Sequence, residues 1–326
     1  MERTGNEQEL RDIAAKIRSY QEKHRGTDGK LISDNQMCKE FAGLGSTRQY
    51  TRILDGDLEE VDVESNLKDY RAVWNLIEML KESEADDDPI YDDLSTVNDL
   101  RRAVAEAMRE KGLNRYVHMQ GPQGSGKTTA ARLLQAKYGA RIQICEATEI
   151  WKENMNAALG GILMALGVKE PPVSVAEKFN KLVEDLNKSR VCLVIDEAHH
   201  LGPKTLNLVK SLLNQTPGEF VLLAMGTLWN KLESKAYAEA WQLTKNRLSE
   251  RIRLEGVETV DVQKIAARRL GLDDEAAVKA LAGAARQNGN LAFVKLVCRK
   301  AKKLSGRGAV TMETIHKAIS TVTASR

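Results

Sequence analysis

Gly121-Pro122-Gln123-Gly124-Ser125-Gly126-Lys127-Thr128 fits the pattern G-x-x-x-x-G-K-[ST], and its reading decides the fold. A short apolar run, Tyr116 to Met119, precedes it and reads as a strand; an alanine-rich run, Thr129 to Tyr138, follows and reads as a helix. Strand, glycine loop and helix in that order turn a pattern into a phosphate site. Gly121, Gly124 and Gly126 let the backbone curl with its N–H groups inward. Those groups and the helix N-terminus form a cradle for phosphate anions. Lys127 adds a mobile positive charge for the outer phosphates, and Thr128 offers a hydroxyl to Mg²⁺. The expected nucleotide contacts are this whole loop, Gly121, Pro122, Gln123, Gly124, Ser125, Gly126, Lys127 and Thr128, followed by Thr129.

A second motif, Val191-Cys192-Leu193-Val194-Ile195-Asp196-Glu197, lies downstream. Five consecutive apolar residues suggest a strand buried on both faces, as in a parallel sheet. Two carboxylates then fall at the carboxyl end of that strand, where open α/β sheets bind ligands. Asp196 is expected to hold Mg²⁺ and Glu197 to orient the water that attacks the terminal phosphate of ATP. Either motif alone is weaker; together they point to an NTPase that hydrolyses. A third apolar run, Phe220 to Met225, ends in Gly226-Thr227 and delivers Thr227 to the same sheet edge. Beyond it, Asn246 to Leu254 carries Arg247, Arg251 and Arg253. Arg251 or Arg247 is a candidate finger projecting into a neighbouring subunit's nucleotide.

The length of 326 residues suggests two or three domains, and 42% apolar content is enough to build their cores. The net charge of +3 is unevenly spread: from Gly256 onward 13 Lys/Arg face 6 Asp/Glu. A basic terminal domain hints at nucleic acid, although a solvated helical surface would read the same way. Cys38, Cys145, Cys192 and Cys298 are far apart, form no C-x-x-C pair and read as reduced thiols of a cytoplasmic protein. The chain reads as having no secretory signal, and no apolar run approaches the ~20 residues of a spanning helix. His199 and His200 are adjacent, so on a helix they would not share a face, which argues against a metal site there; they are expected in the turn after the Asp196-Glu197 strand.

Ahead of the phosphate loop, Leu10, Ile13, Ala14 and Ile17 mark one face of a helix, and a loop with Gly26 and Gly29 follows. Residues 33–54 then read as helix, glycine-containing turn, helix, in the manner of helix-turn-helix DNA-binding domains. Ser46 would cap the second helix, Tyr50, Ile53 and Leu54 would pack inward, and Thr47, Arg48, Gln49 and Arg52 would meet DNA. An ordinary three-helix module that binds protein is the other reading. Leu67, Tyr70, Trp74, Ile77 and Leu80 give a further amphipathic helix. From Glu82 to Asp93, seven of twelve residues are acidic and none is basic, which marks a solvated linker. The expected layout is an N-terminal domain (1–84), a linker (85–95), an ATPase domain (96–255) and a basic helical lid (256–326).

The order of phosphate loop, acidic strand, polar sensor strand, arginine segment and helical lid resembles that of AAA+ ATPases. The run Leu193 to Gly202, the strand ending Met225-Gly226-Thr227 and the N-terminal helix-turn-helix are most similar to the transposon ATPases typified by the B protein of bacteriophage Mu. The resemblance implies an α/β fold: an AAA+ P-loop NTPase with a parallel sheet, an all-α helix-turn-helix domain before it and a helical lid after it. It also implies ATP and Mg²⁺ as cofactors. Such a protein forms a homo-oligomer, ring or helical filament, on double-stranded DNA with little sequence preference. It activates a partner transposase and needs no membrane. Lys127, Thr128, Asp196, Glu197 and Thr227 carry over as nucleotide and hydrolysis residues. At Gly289-Asn290-Leu291-Ala292-Phe293-Val294-Lys295 the likeness departs: Ala292 stands where a lid arginine is common, and Lys295 lies one turn along. Candidate DNA contacts are Lys169, Lys178 and Lys181, and Lys295, Arg299, Lys302 and Lys303 in the lid. A helicase loader, or a switch in a secretion or signalling complex that never touches DNA, would share the ATPase motifs. A transposase gene beside this one would separate the transposition reading from both.

Overall fold

The spacing of Leu10, Ile13, Ala14 and Ile17 becomes one buried face of helix α1 (Glu2–Gln21). In the computed structural model, residues 2–22, 31–84, 91–109, 114–306 and 308–325 are described. The chain divides into two compact units, Met1–Asp86 and Asp87–Arg326. The expected loop at Gly26 and Gly29, and residues 85–90 of the expected linker, lie outside the described residues.

In the first unit, α2 (Asp34–Glu40) starts at a reciprocal cap in which the Ser33 hydroxyl accepts from the Gln36 N–H and the Gln36 side chain accepts from the Ser33 N–H. A short 3₁₀ turn (Ala42–Leu44) and Gly45, at φ 74°, lead into α3 (Thr47–Leu54), which Ser46 caps through the Gln49 N–H. Only glycine takes that backbone angle without strain. Helix α4 (Val63–Glu84) closes the unit. Tyr50, Ile53, Tyr70 and Ile77 are fully buried with the apolar face of α1, and Leu54 and Trp74 pack against them. The Tyr50 hydroxyl donates to Gln21 (2.9 Å), whose amide donates to Asp34 (2.8 Å), so the buried polar groups tie α1 to the α2–α3 pair.

The second unit begins with α5 (Ser95–Arg109), β1 (Tyr116–Gln120) and α6 (Lys127–Tyr138). There follow β2 (Ile142–Glu146), α7 (Met155–Ala165), α8 (Val175–Lys188), β3 (Cys192–Asp196) and α9 (Pro203–Gln215). Next are β4 (Phe220–Ala224), α10 (Thr227–Leu232), α11 (Ala238–Arg247) and β5 (Leu248–Arg253). Helices α12 (Thr259–Leu270), α13 (Glu275–Asn288), α14 (Asn290–Ser305) and α15 (Met312–Ala324) complete it. Gly271 and Gly289, both at positive φ, end α12 and α13.

The five strands form one parallel sheet in the order β2-β3-β4-β1-β5. Strands β1, β3 and β4 are buried at every residue because helices cover both faces. Val117, Met119, Val194 and Val221 turn to the face covered by α5, α6 and the C-terminal helices; Leu193, Ile195 and Leu222 turn to the face covered by α7, α8 and α9. Two points differ from the sequence reading. The apolar run read as Phe220 to Met225 ends as a strand at Ala224. Asn246 to Leu254, read above only for its arginines, contains the fifth strand. That strand is an edge whose only fully buried side chain is Ile252, so no apolar run announces it.

Candidate functional site

Because all strands run the same way, their carboxyl ends share one edge, and the two motifs meet there. The phosphate loop is pinned at its start by the Gly121 N–H donating to Ala224 O (3.1 Å), next to the Leu254 N–H donating to Gln120 O (2.8 Å). Its carbonyls are then taken one by one. Lys127 Nζ donates to Gly121 O (2.9 Å) and Pro122 O (3.0 Å), and Asn290 Nδ2 to Gln123 O (3.2 Å). The Ala292 N–H donates to Gly124 O (3.3 Å) and Thr96 Oγ1 to Ser125 O (3.3 Å). By contrast, among the described residues the N–H groups of Gly124, Gly126, Lys127 and Thr128 make no such bond. Unpaired N–H groups at a helix N-terminus form a cradle that an anion completes. A side chain cannot replace Gly124: at φ 73°, its Cβ would stand 2.2 Å from the Gly289 carbonyl oxygen.

Thr128 Oγ1 donates to Asp196 Oδ2 at 2.6 Å, across 68 residues of sequence. The other Asp196 oxygen accepts the Glu197 N–H (2.8 Å), and Glu197 turns the chain through the left-handed region at φ 50°. A hydroxyl and a carboxylate converging beside an anion cradle are an oxygen donor set suited to Mg²⁺. Lys127 is 9% exposed; burial lowers its ammonium from the ordinary value, while Glu197 and Asp196 pull it back up. Thr129 follows half-buried in the first turn of α6, and Thr227 is exposed at the first residue of α10, at the end of the β4 segment. A cleft of about 480 Å³ flanks the loop, walled by Thr96, Asp99, Leu254, Val257, Arg286 and Leu291.

The two arginine candidates stand apart. Arg251 donates to Gln120 Oε1 (3.1 Å) and stacks over the Trp229 ring (3.4 Å to the centroid), so it is engaged within its own chain. Arg247 precedes β5, at the sheet edge opposite the phosphate loop, and its half-buried side chain donates to Asn214 (2.8 Å). Sequence reasoning missed Gln120 and Trp229, since neither belongs to a motif. Trp229 also packs edge-on to His118, whose imidazole burial pushes down to about 4. Lys295 does not reach toward the phosphate loop; its ammonium lies over the Tyr91 ring (4.6 Å). Ala292 instead meets the loop through its backbone.

Among the DNA candidates, Arg48, Lys169, Lys302 and Lys303 are exposed cations, as is Arg299. Arg52 is paired with Asp57 (2.8 Å) and Glu60 (2.9 Å), and Lys181 with Asp185 (2.7 Å), so their charges are already balanced. Gln49 is tied to Asn66 (2.7 Å) and Lys178 to Asn156 (2.7 Å), while Thr47 is half-buried. The histidines lie in the turn after β3, as expected: they occupy a 3₁₀ turn (Ala198–His200), and their ring centroids are 4.3 Å apart.

Residues 114–232 match the family model described as AAA domain. Among solved structures, Cdc6p from Pyrobaculum aerophilum is 19% identical, with a TM-score of 0.49 over 68% of this chain and 65% of that one. The Orc1 protein of Aeropyrum pernix, solved in complex with DNA, is 20% identical, with a TM-score of 0.49 over 70% and 64%. A RuvB variant from Thermotoga maritima is 16% identical, with a TM-score of 0.44 over 69% and 68%. The chain spans just under two thirds of the length of the first two. No curated protein sequence matches it. The matched segment holds the phosphate loop, the Asp196-Glu197 strand and Thr227, and it contributes four of the five strands of the parallel sheet, β1 to β4. No described helix is long and apolar enough to cross a membrane.

Proposed function

We propose that this protein is a Mg²⁺-dependent ATPase that oligomerises on double-stranded DNA, with little sequence preference, and activates a partner transposase. The observation that carries the ATPase reading is the convergence of Thr128 and Asp196 (2.6 Å) beside N–H groups that have no partner among the described residues. In this reading the loop from Gly121 to Thr129 surrounds the phosphates through backbone N–H groups. Lys127 leaves its two carbonyl partners to meet the outer phosphates, exchanging neutral acceptors for charged ones. Thr128 and Asp196 would hold Mg²⁺, which, when bound, neutralises charge on the phosphates. Glu197 orients the attacking water and accepts its proton. Thr227, at the head of α10, faces the same edge. The flanking cleft of about 480 Å³ has room for a nucleoside.

The lid contacts support a switch. Asn290 bridges the phosphate loop (Gln123 O) and the Val257 N–H at the start of the lid, so a filled loop would be felt by α14. Helix α14 carries Arg299, Lys302 and Lys303 on its exposed side, and a basic helix repeated along an oligomer binds phosphates collectively. The role in transposition rests on the resemblance of Leu193 to Gly202 and of the strand ending in Thr227. The layout of 1–84, 85–95, 96–255 and 256–326 belongs to the same reading. Of the two arginines, Arg247 suits a finger acting in trans better, since it is held within its own chain by Asn214 alone, whereas Arg251 is held by Gln120 and by the Trp229 ring.

The ATPase reading is tested by phosphate release and equilibrium binding of a fluorescent ATP analogue. Lys127→Ala is expected to lose nucleotide binding, and Glu197→Gln to keep it while losing turnover. Wild-type turnover in Glu197→Gln would remove Glu197 from this role.

A further inference from the structure

The turn after β3 holds chemistry that nucleotide binding leaves unused. Glu197, in the left-handed region, folds the chain back, and the 3₁₀ turn behind it stacks His199 and His200 at 4.3 Å, with 35° between the ring planes. One donor atom from each of Glu197, His199 and His200 lies within 4.8 Å of the other two. His199 Nδ1 stands 3.2 Å from Glu197 Oε2, yet it is shielded from solvent and makes no hydrogen bond. A buried polar atom left without a bond is costly. His200 Nδ1 meets Glu149 Oε2 at 2.9 Å, which brings a second carboxylate to the rim.

We propose that Glu197, His199 and His200 form a binding site for a transition-metal dication of the Zn²⁺ class, with the fourth position taken by water. Two imidazoles and a carboxylate suit Zn²⁺, whereas Mg²⁺ prefers an all-oxygen octahedron. Tetrahedral Zn²⁺ at about 2.0–2.1 Å from each donor needs donors about 3.3 Å apart. The observed 4.8 Å limit therefore asks for a closure of no more than about 1.5 Å. His200 and Glu197, with side chains 32% and 42% exposed, have space to make that movement. Occupancy draws the Glu197 carboxylate away from water. If Glu197 has the role given above, the metal stops hydrolysis while leaving the phosphate loop able to hold ATP.

The test uses the full chain, freed of metal and nucleotide. ZnCl₂ is titrated calorimetrically, and Co²⁺ is followed by its visible absorption as an independent readout. One equivalent should bind, with a Co²⁺ spectrum of tetrahedral type that lacks a thiolate charge-transfer band. His199→Ala and His200→Ala should each weaken binding at least tenfold. The more exposed His200 provides a variant with little risk to folding. Absence of binding by the wild-type chain, or unchanged affinity in the His200 variant, overturns the site. Preloading the wild-type chain with Zn²⁺ should also abolish turnover of Mg²⁺-ATP. If Zn²⁺ binds as described but Glu197→Gln hydrolyses ATP normally, the site stands and the hydrolytic role of Glu197 falls.

Discussion

The phosphate loop and the helix-turn-helix both present short stretches of polar side chains, but they use them differently. Around the loop, three buried strands fix the backbone first, and Lys127, Thr128, Asp196 and Glu197 converge from segments 69 residues apart. On α3 the polar residues lie side by side in sequence and largely disperse into local pairs: Arg52 with Asp57 and Glu60, Gln49 with Asn66. Arg48 alone of the four is exposed without a charged partner among the described residues. The difference teaches that a backbone-built site survives translation from sequence to structure, whereas a surface charge can be cancelled by a carboxylate a few residues away.

The comparison breaks if the convergent site proves inert. Glu197→Gln is expected to retain ATP and lose about 10²–10⁴-fold in turnover, read by phosphate release at saturating ATP. The arginines sharpen it next. Arg247→Ala should bind nucleotide, lose hydrolysis, and regain part of it when mixed with Glu197→Gln, because one subunit then offers a sound site and its neighbour a sound finger. Arg251→Ala should not be complemented, since Gln120 and Trp229 hold that arginine within its own chain. No recovery for Arg247→Ala at any mixing ratio, with co-assembly verified, removes it as a trans finger.

A smaller effect is expected at Gly124. Gly124→Ala places a Cβ 2.2 Å from the Gly289 carbonyl at a backbone angle of +73°. The strain should cost about 1–3 kcal/mol in denaturant unfolding and separate the lid from the loop. Unaltered stability together with unaltered ATP affinity would show that the lid contact is dispensable. The smallest effect concerns α3. Arg48→Ala should lower the salt slope of DNA binding by about one, and Arg52→Ala should leave it unchanged. Equal effects of the two would mean that Asp57 and Glu60 release Arg52 on DNA.

How much could be read in advance follows from the same contrast. Strands covered on both faces are uninterrupted apolar runs, so Tyr116 to Met119, Cys192 to Ile195 and Phe220 to Ala224 were legible. Strand β5 was not, because an edge strand needs only Ile252 inside; its Glu250 and Arg251 are half-buried polar residues and Arg253 is exposed. The contacts of the phosphate loop with Asn290 and Ala292 were equally hidden. They are made largely to backbone carbonyls, which leave no mark in side-chain chemistry. The place of His199 and His200 in the turn after β3 was legible, but their geometry was not: the 3₁₀ turn brings the two rings to 4.3 Å, which helix-face reasoning does not describe.

The central claim is that ATP gates a cooperative grip on DNA, and a DNA-binding isotherm tests it most directly. The full chain is titrated onto duplexes of unrelated sequence with ATP, with ADP and without nucleotide, at two salt concentrations. With ATP the isotherm should be steep, indifferent to sequence and strongly weakened by salt, because repeated Lys and Arg contacts release counterions along the duplex. With ADP or no nucleotide it should be weaker and less cooperative. Identical isotherms in all three nucleotide states would contradict the claim, even in a protein that hydrolyses ATP.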